Sequence, residues 1–262
     1  MFNVDRYAYT SALKSKAPTE KLFFALLTMG VCLWAESISI SLTIVLIMSW
    51  VTLCKGRTPF PVFLKLMLIP AAFMIIGVIA IAFGLASGQG SFLVSISISG
   101  IYFGITKIGA STAIGIFSRA IGAVSCLCYL TLSTPIVDIL SVLRRMGCPK
   151  LLVELMGLIY RCIFVLLETA ETMITSQDSR LGYRSLKTGL RSTGAIGSTL
   201  FIRAYKHSEA LYTALEARGY DGELKVLEEP FPSSMRGYLM PMLVNLLLIT
   251  ATLYIRRYTG GL

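Results

Sequence analysis

Two short strings, Ser179-Arg180-Leu181-Gly182-Tyr183 and Ala217-Arg218-Gly219-Tyr220, hold the most specific chemistry in this chain. Each sets an arginine beside glycine and tyrosine, and each closes a segment with helical periodicity. An arginine keeps its charge and presents a planar fork that grips a carboxylate through two parallel hydrogen bonds. Ser179, Gly182, Ala217 and Gly219 add little bulk around the guanidinium, so a helix tip of this kind suits a narrow acidic groove. The bland alternative is that Arg180 and Arg218 only complement the dipoles at their helix ends. The repetition weighs against it. Two similar plugs on one chain suit a partner with two similar sockets, a dimer or a pair of homologous subunits.

No catalytic or metal-binding set accompanies these arginines. His207 is the single histidine and sits among Lys206, Ser208 and Glu209 on a polar face, and one ligand does not make a metal site. The Gly-rich run Gly194-Ala195-Ile196-Gly197-Ser198-Thr199 lacks the lysine of a phosphate-binding loop, so ATP hydrolysis is not expected here. The six cysteines follow no C-x-x-C spacing and read as small apolar residues. Paired carboxylates, which a proton or ion relay would place at mid-membrane, are missing from the apolar segments. Catalytic residues, metal ligands and a cofactor are therefore not expected in this chain.

The elements that must position the arginines belong to a membrane protein. Hydrophobic residues make up 55% of the sequence against 15% charged, with mean hydropathy +0.73. The formal charge of +10 does not signal nucleic acid. Between Pro135 and Arg236 there are 13 Lys/Arg against 11 Asp/Glu, so the excess lies at membrane-flanking positions, as a positive-inside bias dictates.

Arg6, Lys14, Lys16 and Lys21 favour a cytoplasmic start. A signal peptide would also place an apolar core, Leu22 to Trp34, behind a basic segment. Against it, no small-x-small cleavage pattern follows and a second apolar segment, Ile38 to Leu53, begins at once. A single helix from Leu22 to Cys54 would be about 50 Å long, too long for a hydrocarbon core of about 30 Å. The pattern predicts a hairpin of two short spans with Glu36 at the outer turn. A third span runs from Leu66 to about Leu85, with Pro70 as a kink site. The Gly/Ser-rich stretch Ala86 to Ser99 reads as an outer loop, and a fourth span falls between Gly100 and Leu132. Small residues at Gly100, Gly104, Ser111, Gly115, Ser118 and Gly122 form a stripe along it, read first as packing within this chain and second as a partner contact. Lys107 and Arg119 should snorkel or face protein.

After Thr134-Pro135 the pattern changes. Pro135 to Met146 predicts a short amphipathic helix ended by Gly147, and Pro149 opens a longer one that reaches Gln177. Charges at Glu154, Arg161, Glu168, Glu171 and Asp178 form a polar strip on that helix, expected to face water. Leu186 to Thr199 reads as a turn into a further helix, whose apolar Ile196, Leu200, Phe201, Ala204, Leu211, Tyr212 and Leu215 keep largely to one side. Gly219 and Gly222 are its expected stops. Glu223 to Ser234 is an acidic connector, and Tyr238 to Ile255 is a fifth span that puts the C-terminus outside.

The combination resembles the T component of energy-coupling factor (ECF) transporters, most closely the cobalt-type, CbiQ-like branch. The resemblance lies in Asp5-Arg6-Tyr7-Ala8-Tyr9, in Ser133-Thr134-Pro135 with Leu143-Arg144-Arg145 and Pro149, in Tyr160-Arg161, and in the two arginine strings, the second being Glu216-Ala217-Arg218-Gly219-Tyr220. It covers nearly the whole chain. The first string departs from the usual Ala-Arg-Gly form, with Ser179 and Leu181 around its arginine.

The resemblance implies an all-α membrane protein with about five transmembrane helices and cytosolic amphipathic coupling helices between the fourth and fifth. Residues 1–132 would form an N-terminal membrane region, 133–235 the coupling region and 236–262 a C-terminal transmembrane helix. It further implies a non-enzymatic subunit, multi-pass in a bacterial or archaeal cytoplasmic (inner) membrane, with the N-terminus and coupling region in the cytoplasm. Two ABC-type ATPase subunits would dock on Arg180 and Arg218 and hold ATP and Mg²⁺. A metal-binding membrane substrate component, with or without a small accessory membrane subunit, would hold the Co²⁺ or Ni²⁺. The competing class is a stand-alone channel or secondary carrier, disfavoured by the scarcity of intramembrane charge; a membrane-embedded enzyme has no catalytic set to support it.

Overall fold

The computed structural model describes residues 4–86, 92–98, 101–220 and 235–259. They fall into two compact units, Met1–Ile139 with Pro230–Leu262, and Leu140–Glu229.

In the first unit, α1 (Val4–Thr10) and α2 (Pro18–Ala35) precede α3 (Ile38–Trp50), which runs on into a π-helical turn, Val51–Lys55. After α4 (Phe60–Ala82) come three short strands, β1 (Phe83–Ala86), β2 (Phe92–Ile98) and β3 (Ile101–Thr106). Then follow α5 (Lys107–Ser133), the start of α6 (Ile136–Arg145) and, at the other end of the chain, α9 (Met235–Thr259). Among the described residues, four helical stretches are long and apolar enough to cross a membrane: Ile38–Lys55, Phe60–Ile81, Gly109–Ser133 and Gly237–Arg257. In α2 the apolar run starts only after Glu20 and Lys21.

The stretch expected as an outer loop is partly sheet. The strands pair antiparallel in the order β1-β3-β2, with a register shift between Phe92 and Val94. Their sequences, Phe-Leu-Val-Ser-Ile-Ser-Ile and Ile-Tyr-Phe-Gly-Ile-Thr, are rich in the β-branched and aromatic residues that favour strands. The helix of the fourth span consequently starts at Lys107, its apolar span at Gly109, and Gly104 lies in β3.

Helix α5 is the centre of this unit and touches α1, α2, α3 and α4, while α9 packs on α2. The small-residue stripe explains part of this. A Cβ on Gly122 would collide with Cys32 Sγ of α2 and lie 3.6 Å from the Ser41 carbonyl of α3, so this glycine lets three helices meet within the chain. Cys32, Cys126, Ile44, Met48 and Leu248 form the core around it. Arg119 is held by the protein, as expected, in a 3.4 Å ion pair with Glu36 at the α2–α3 turn, where Glu36 takes a left-handed φ of 49°. The pair is exposed and adds little stability. Deeper between α2 and α9, Asn245 donates to Thr28 Oγ1 at 3.2 Å and to the Pro241 carbonyl at 2.8 Å, a polar contact inside an apolar bundle.

The corner from α5 into α6 is pinned by charges from distant positions. Lys21, only 2% exposed, donates from Nζ to the Ser133 carbonyl at 2.9 Å and to the Leu13 carbonyl at 3.3 Å. A cation thus meets the negative end of the α5 dipole, while at the start of α6 the Ile136 N–H donates to the Asp5 carboxylate. Burial raises the Asp5 carboxyl pKa, and that N–H opposes the rise only in part. Ser133, Thr134 and Pro135 between them are buried. Lys21, expected as a membrane-flanking charge, is instead a buried tether.

The second unit holds the rest of α6, then α7 (Lys150–Ser179) and α8 (Leu186–Ala217), which pack on each other. Gly147, at φ 86°, ends α6 and Pro149 caps α7, both at the predicted places. Helix α8 begins much earlier than its Gly/Ser/Thr-rich start suggests. Ser185 and Thr188 form a reciprocal capping box that launches it directly from the α7 turn. Gly222 and the connector Glu223 to Ser234 lie outside the described residues.

Candidate docking site

Both arginines occupy the same position in the same backbone device. Arg180 is the C-cap of α7, with φ −97° and ψ 16°, and Arg218 is the C-cap of α8, with φ −96° and ψ 8°. After each comes a residue with positive φ, Leu181 at 58° and Gly219 at 72°. The next N–H turns back to the helix: Gly182 N to the Gln177 carbonyl at 2.8 Å, and Tyr220 N to the Leu215 carbonyl at 3.0 Å. Alongside these, Leu181 N bonds the Asp178 carbonyl at 2.9 Å and Gly219 N the Glu216 carbonyl at 3.0 Å. These are two Schellman caps with matching bonds.

This geometry settles how the two strings align. Ser179 corresponds to Ala217, Arg180 to Arg218, and Leu181, rather than Gly182, to Gly219. Backbone N–H groups engage the Gln177 and Asp178 carbonyls of α7 and the Leu215 and Glu216 carbonyls of α8, so both caps form without a guanidinium. Arg180 and Arg218 are exposed. Among the described residues neither belongs to an ion pair, unlike Arg119, which pairs with Glu36, and Arg144, which pairs with Glu154. Helix α8 separates them: the first tip packs beside Ser192, and the helix from there to Ala217 puts the tips about 38 Å apart along its axis at ~1.5 Å per residue.

The remaining string residues have separate jobs. Ser179 Oγ donates to the Thr175 carbonyl at 2.9 Å, within its own helix. Gly219 has open space where a Cβ would sit, so it is there for its φ alone. Gly182 is there for room: a Cβ would lie 2.7 Å from Ser192 Oγ and 2.8 Å from the Gln177 carbonyl oxygen. Ser192 Oγ donates to the Gly182 carbonyl at 3.1 Å, fastening the α7 tip to α8.

Leu181 is 65% exposed and pays for its left-handed φ without packing in return. That conformation costs a non-glycine residue roughly 1–2 kcal/mol, and a glycine costs about 0.5–1 kcal/mol of extra chain entropy. Leu181→Gly is therefore expected to stabilise the unit by about 0.5–1 kcal/mol, read as a raised thermal midpoint. An unchanged or lowered midpoint would mean that Leu181 makes contacts that offset its strain.

Sequence reasoning missed two partners of the second tip. Glu154, placed on the water-facing strip, is only 8% exposed. Its Oε2 accepts from Tyr220 OH at 3.4 Å and its Oε1 lies 4.0 Å from Arg144 Nη2. Tyr220 follows the arginine by two residues, and its ring hydroxyl was the available signal, since a half-buried tyrosine hydroxyl seeks a partner. Arg161, Glu168, Glu171 and Asp178 are exposed as expected. So are apolar Ile159, Ile163 and Phe164 on α7, and Phe201, Tyr205 and Tyr212 on α8. Among the described residues no His/Cys/Asp/Glu group could hold a metal ion.

Several apolar spanning helices, with a pair of long, arginine-tipped helices in a second unit, define an integral membrane protein. The chain belongs to the CbiQ cobalt transport protein family, whose match covers residues 10–227. It is 31% identical over 226 residues to the cobalt transport protein CbiQ of Salmonella typhimurium, spanning 85% of this chain and 99% of that one. It is 31% identical over 227 residues to a putative fused cobalt transport protein CbiMQ of Methanocorpusculum labreanum, covering 86% of this chain and 38% of the fused one. A further relative, the energy-coupling factor transporter transmembrane protein EcfT of Staphylococcus aureus, is 30% identical over 118 residues, 41% of this chain and 44% of that one. The chain is thus a membrane component of cobalt and ECF-type transport, akin to transport proteins rather than enzymes.

Proposed function

We propose that this chain is the coupling subunit of an ABC-type uptake transporter for Co²⁺, with Ni²⁺ as the alternative cargo. The observation that carries the reading is the pair of matching caps, each presenting an exposed arginine at one end of α8. Two similar plugs call for two similar acidic grooves, which an ATPase pair would supply. ATP and Mg²⁺ belong to those ATPases, and the metal cargo to a separate membrane substrate component. The fusion of a CbiQ-type chain with another part in the Methanocorpusculum labreanum relative supports obligate partnership.

In this reading α2 is a fifth span beside α3, α4, α5 and α9, and residues 1–21 and 133–235 face the cytoplasm. Closure of the ATPase pair moves the arginine tips. The exposed apolar faces of α7 and α8 pass that movement to the substrate component, and the corner held by Lys21 and Asp5 keeps α5 fixed to α6 at the membrane. Arg180 and Arg218 are force-transmitting contacts, with Ser179, Ala217, Gly182 and Gly219 shaping the tips.

Reconstitution tests this directly. Vesicles containing the chain with an ATPase pair and a metal-binding component should take up Co²⁺ on ATP addition, while the chain alone should pass none. Metal flux through the purified chain without ATPases would instead establish a channel or carrier.

A further inference from the structure

At the polar ends of the spanning helices, within the unit Met1–Ile139 with Pro230–Leu262, lies a cavity of about 290 Å³ between α2, α3 and α9. Its interior is apolar, walled by Phe24, Val51 and Val244. Its mouth is cationic. Lys16, Lys21 and Lys55 surround it against a single carboxylate, Glu20. Among the described residues none of these lysines belongs to an ion pair.

The three cations are not equivalent. Lys21 is buried and committed to the Ser133 and Leu13 carbonyls, so its charge is fixed in place. Lys16 is exposed in the loop before α2. Lys55 reaches from the end of α3 towards α9, with Nζ 5.5 Å from the Trp50 ring centre and 3.8 Å from Met240 Sδ. Neither contact neutralises it.

Lys55 and Gly237 are the end residues of two apolar spans, which puts the mouth at headgroup depth and the walls at the top of the hydrocarbon. An occupant must therefore be anionic at one end and apolar at the other. Basic pockets between transmembrane helices have this character when they take phospholipid headgroups. A soluble anion would leave the apolar walls bare, and a neutral lipid would leave Glu20 as the one carboxylate lining a mouth with three lysines.

We propose that this cavity binds an anionic phospholipid, its phosphate held by Lys16 and Lys55 and the start of one acyl chain lying against Phe24, Val51 and Val244. The cavity is too small for a whole lipid, so the remaining hydrocarbon runs along exposed Leu46 of α3 and Leu243 of α9.

Trp50 lines the mouth and is one of two tryptophans, so Trp34→Phe makes it the sole reporter. The full chain carrying Trp34→Phe is placed in phosphatidylcholine vesicles doped with brominated phosphatidylglycerol, or with the same fraction of brominated phosphatidylcholine. Trp50 should be quenched by the anionic lipid at a roughly tenfold lower fraction than by the neutral one. Lys16→Gln with Lys55→Gln should remove that preference, and Lys16→Arg with Lys55→Arg should keep it. Equal quenching by both lipids overturns the proposal and leaves the cavity to another part of this chain or to a partner subunit. A preference that survives the double glutamine change overturns it as well, because the lysines would then not be the headgroup site.

Discussion

Arg218→Ala is expected to weaken binding of the ATPase pair roughly 30-fold or more, the effect of removing a central charged anchor worth about 2 kcal/mol or more. Membrane insertion and the fold should be unaffected, because the α8 cap is made by backbone bonds from Gly219 and Tyr220 and does not use the guanidinium. Arg218→Lys should recover only part of the loss, since an ammonium cannot make the two-pronged bond to a carboxylate. Arg180→Ala should act likewise at the other tip. Combining both removes the two linked contacts together, so stable assembly should be lost rather than merely weakened. Co-purification from detergent, followed by ATP-driven uptake in vesicles, measures all four variants. Normal yield and transport by the double variant would remove the docking role from these arginines.

Gly182→Val is expected to destabilise the α7 tip by about 2–3 kcal/mol. Part of what a Cβ meets here is backbone, the Gln177 carbonyl at 2.8 Å, which moves only if the last turn of α7 opens. Opening it breaks the Gly182 N to Gln177 bond that defines the cap and loosens the Ser192 contact to the Gly182 carbonyl. Arg180 would then no longer be presented at a defined angle. Two measurements separate this from general unfolding. The thermal midpoint should fall while α8 keeps its helicity, and ATPase affinity should drop to the level of Arg180→Ala. In the Arg180→Ala background, Gly182→Val should cost no further affinity, because both changes disable one contact. Additive losses would show that Gly182 acts on docking independently of Arg180.

Much of the candidate site was legible because the relevant information is local. A Schellman cap is written in a handful of consecutive residues, so Gly219 and the arginine before it marked the second tip directly. The first tip was harder to register for a local reason too. Leu181 holds a position that glycine normally fills, and Gly182, next to it, draws the eye to the wrong residue. Only the backbone angles distinguish a glycine needed for its φ, Gly219, from one needed for space, Gly182. Glu154 was misplaced because helical periodicity says which residues share a face and is silent about what comes to cover that face. Tyr220 covers it from 66 residues away.

The chain by itself determined four of the apolar spanning segments, the two arginine-bearing helix ends and the end of α6 at Gly147. Hydropathy, periodicity and turn chemistry act over a turn or a span, so they can be read in one dimension. Only the tertiary structure decided that Lys21 is a buried tether to a carbonyl 112 residues away, and that Gly122 is where α2, α3 and α5 meet. It alone showed that a set of lysines closes over an apolar cavity. Each of these depends on side chains from separate helices arriving at one point. Burial and pairing are properties of that meeting, and no single segment contains them.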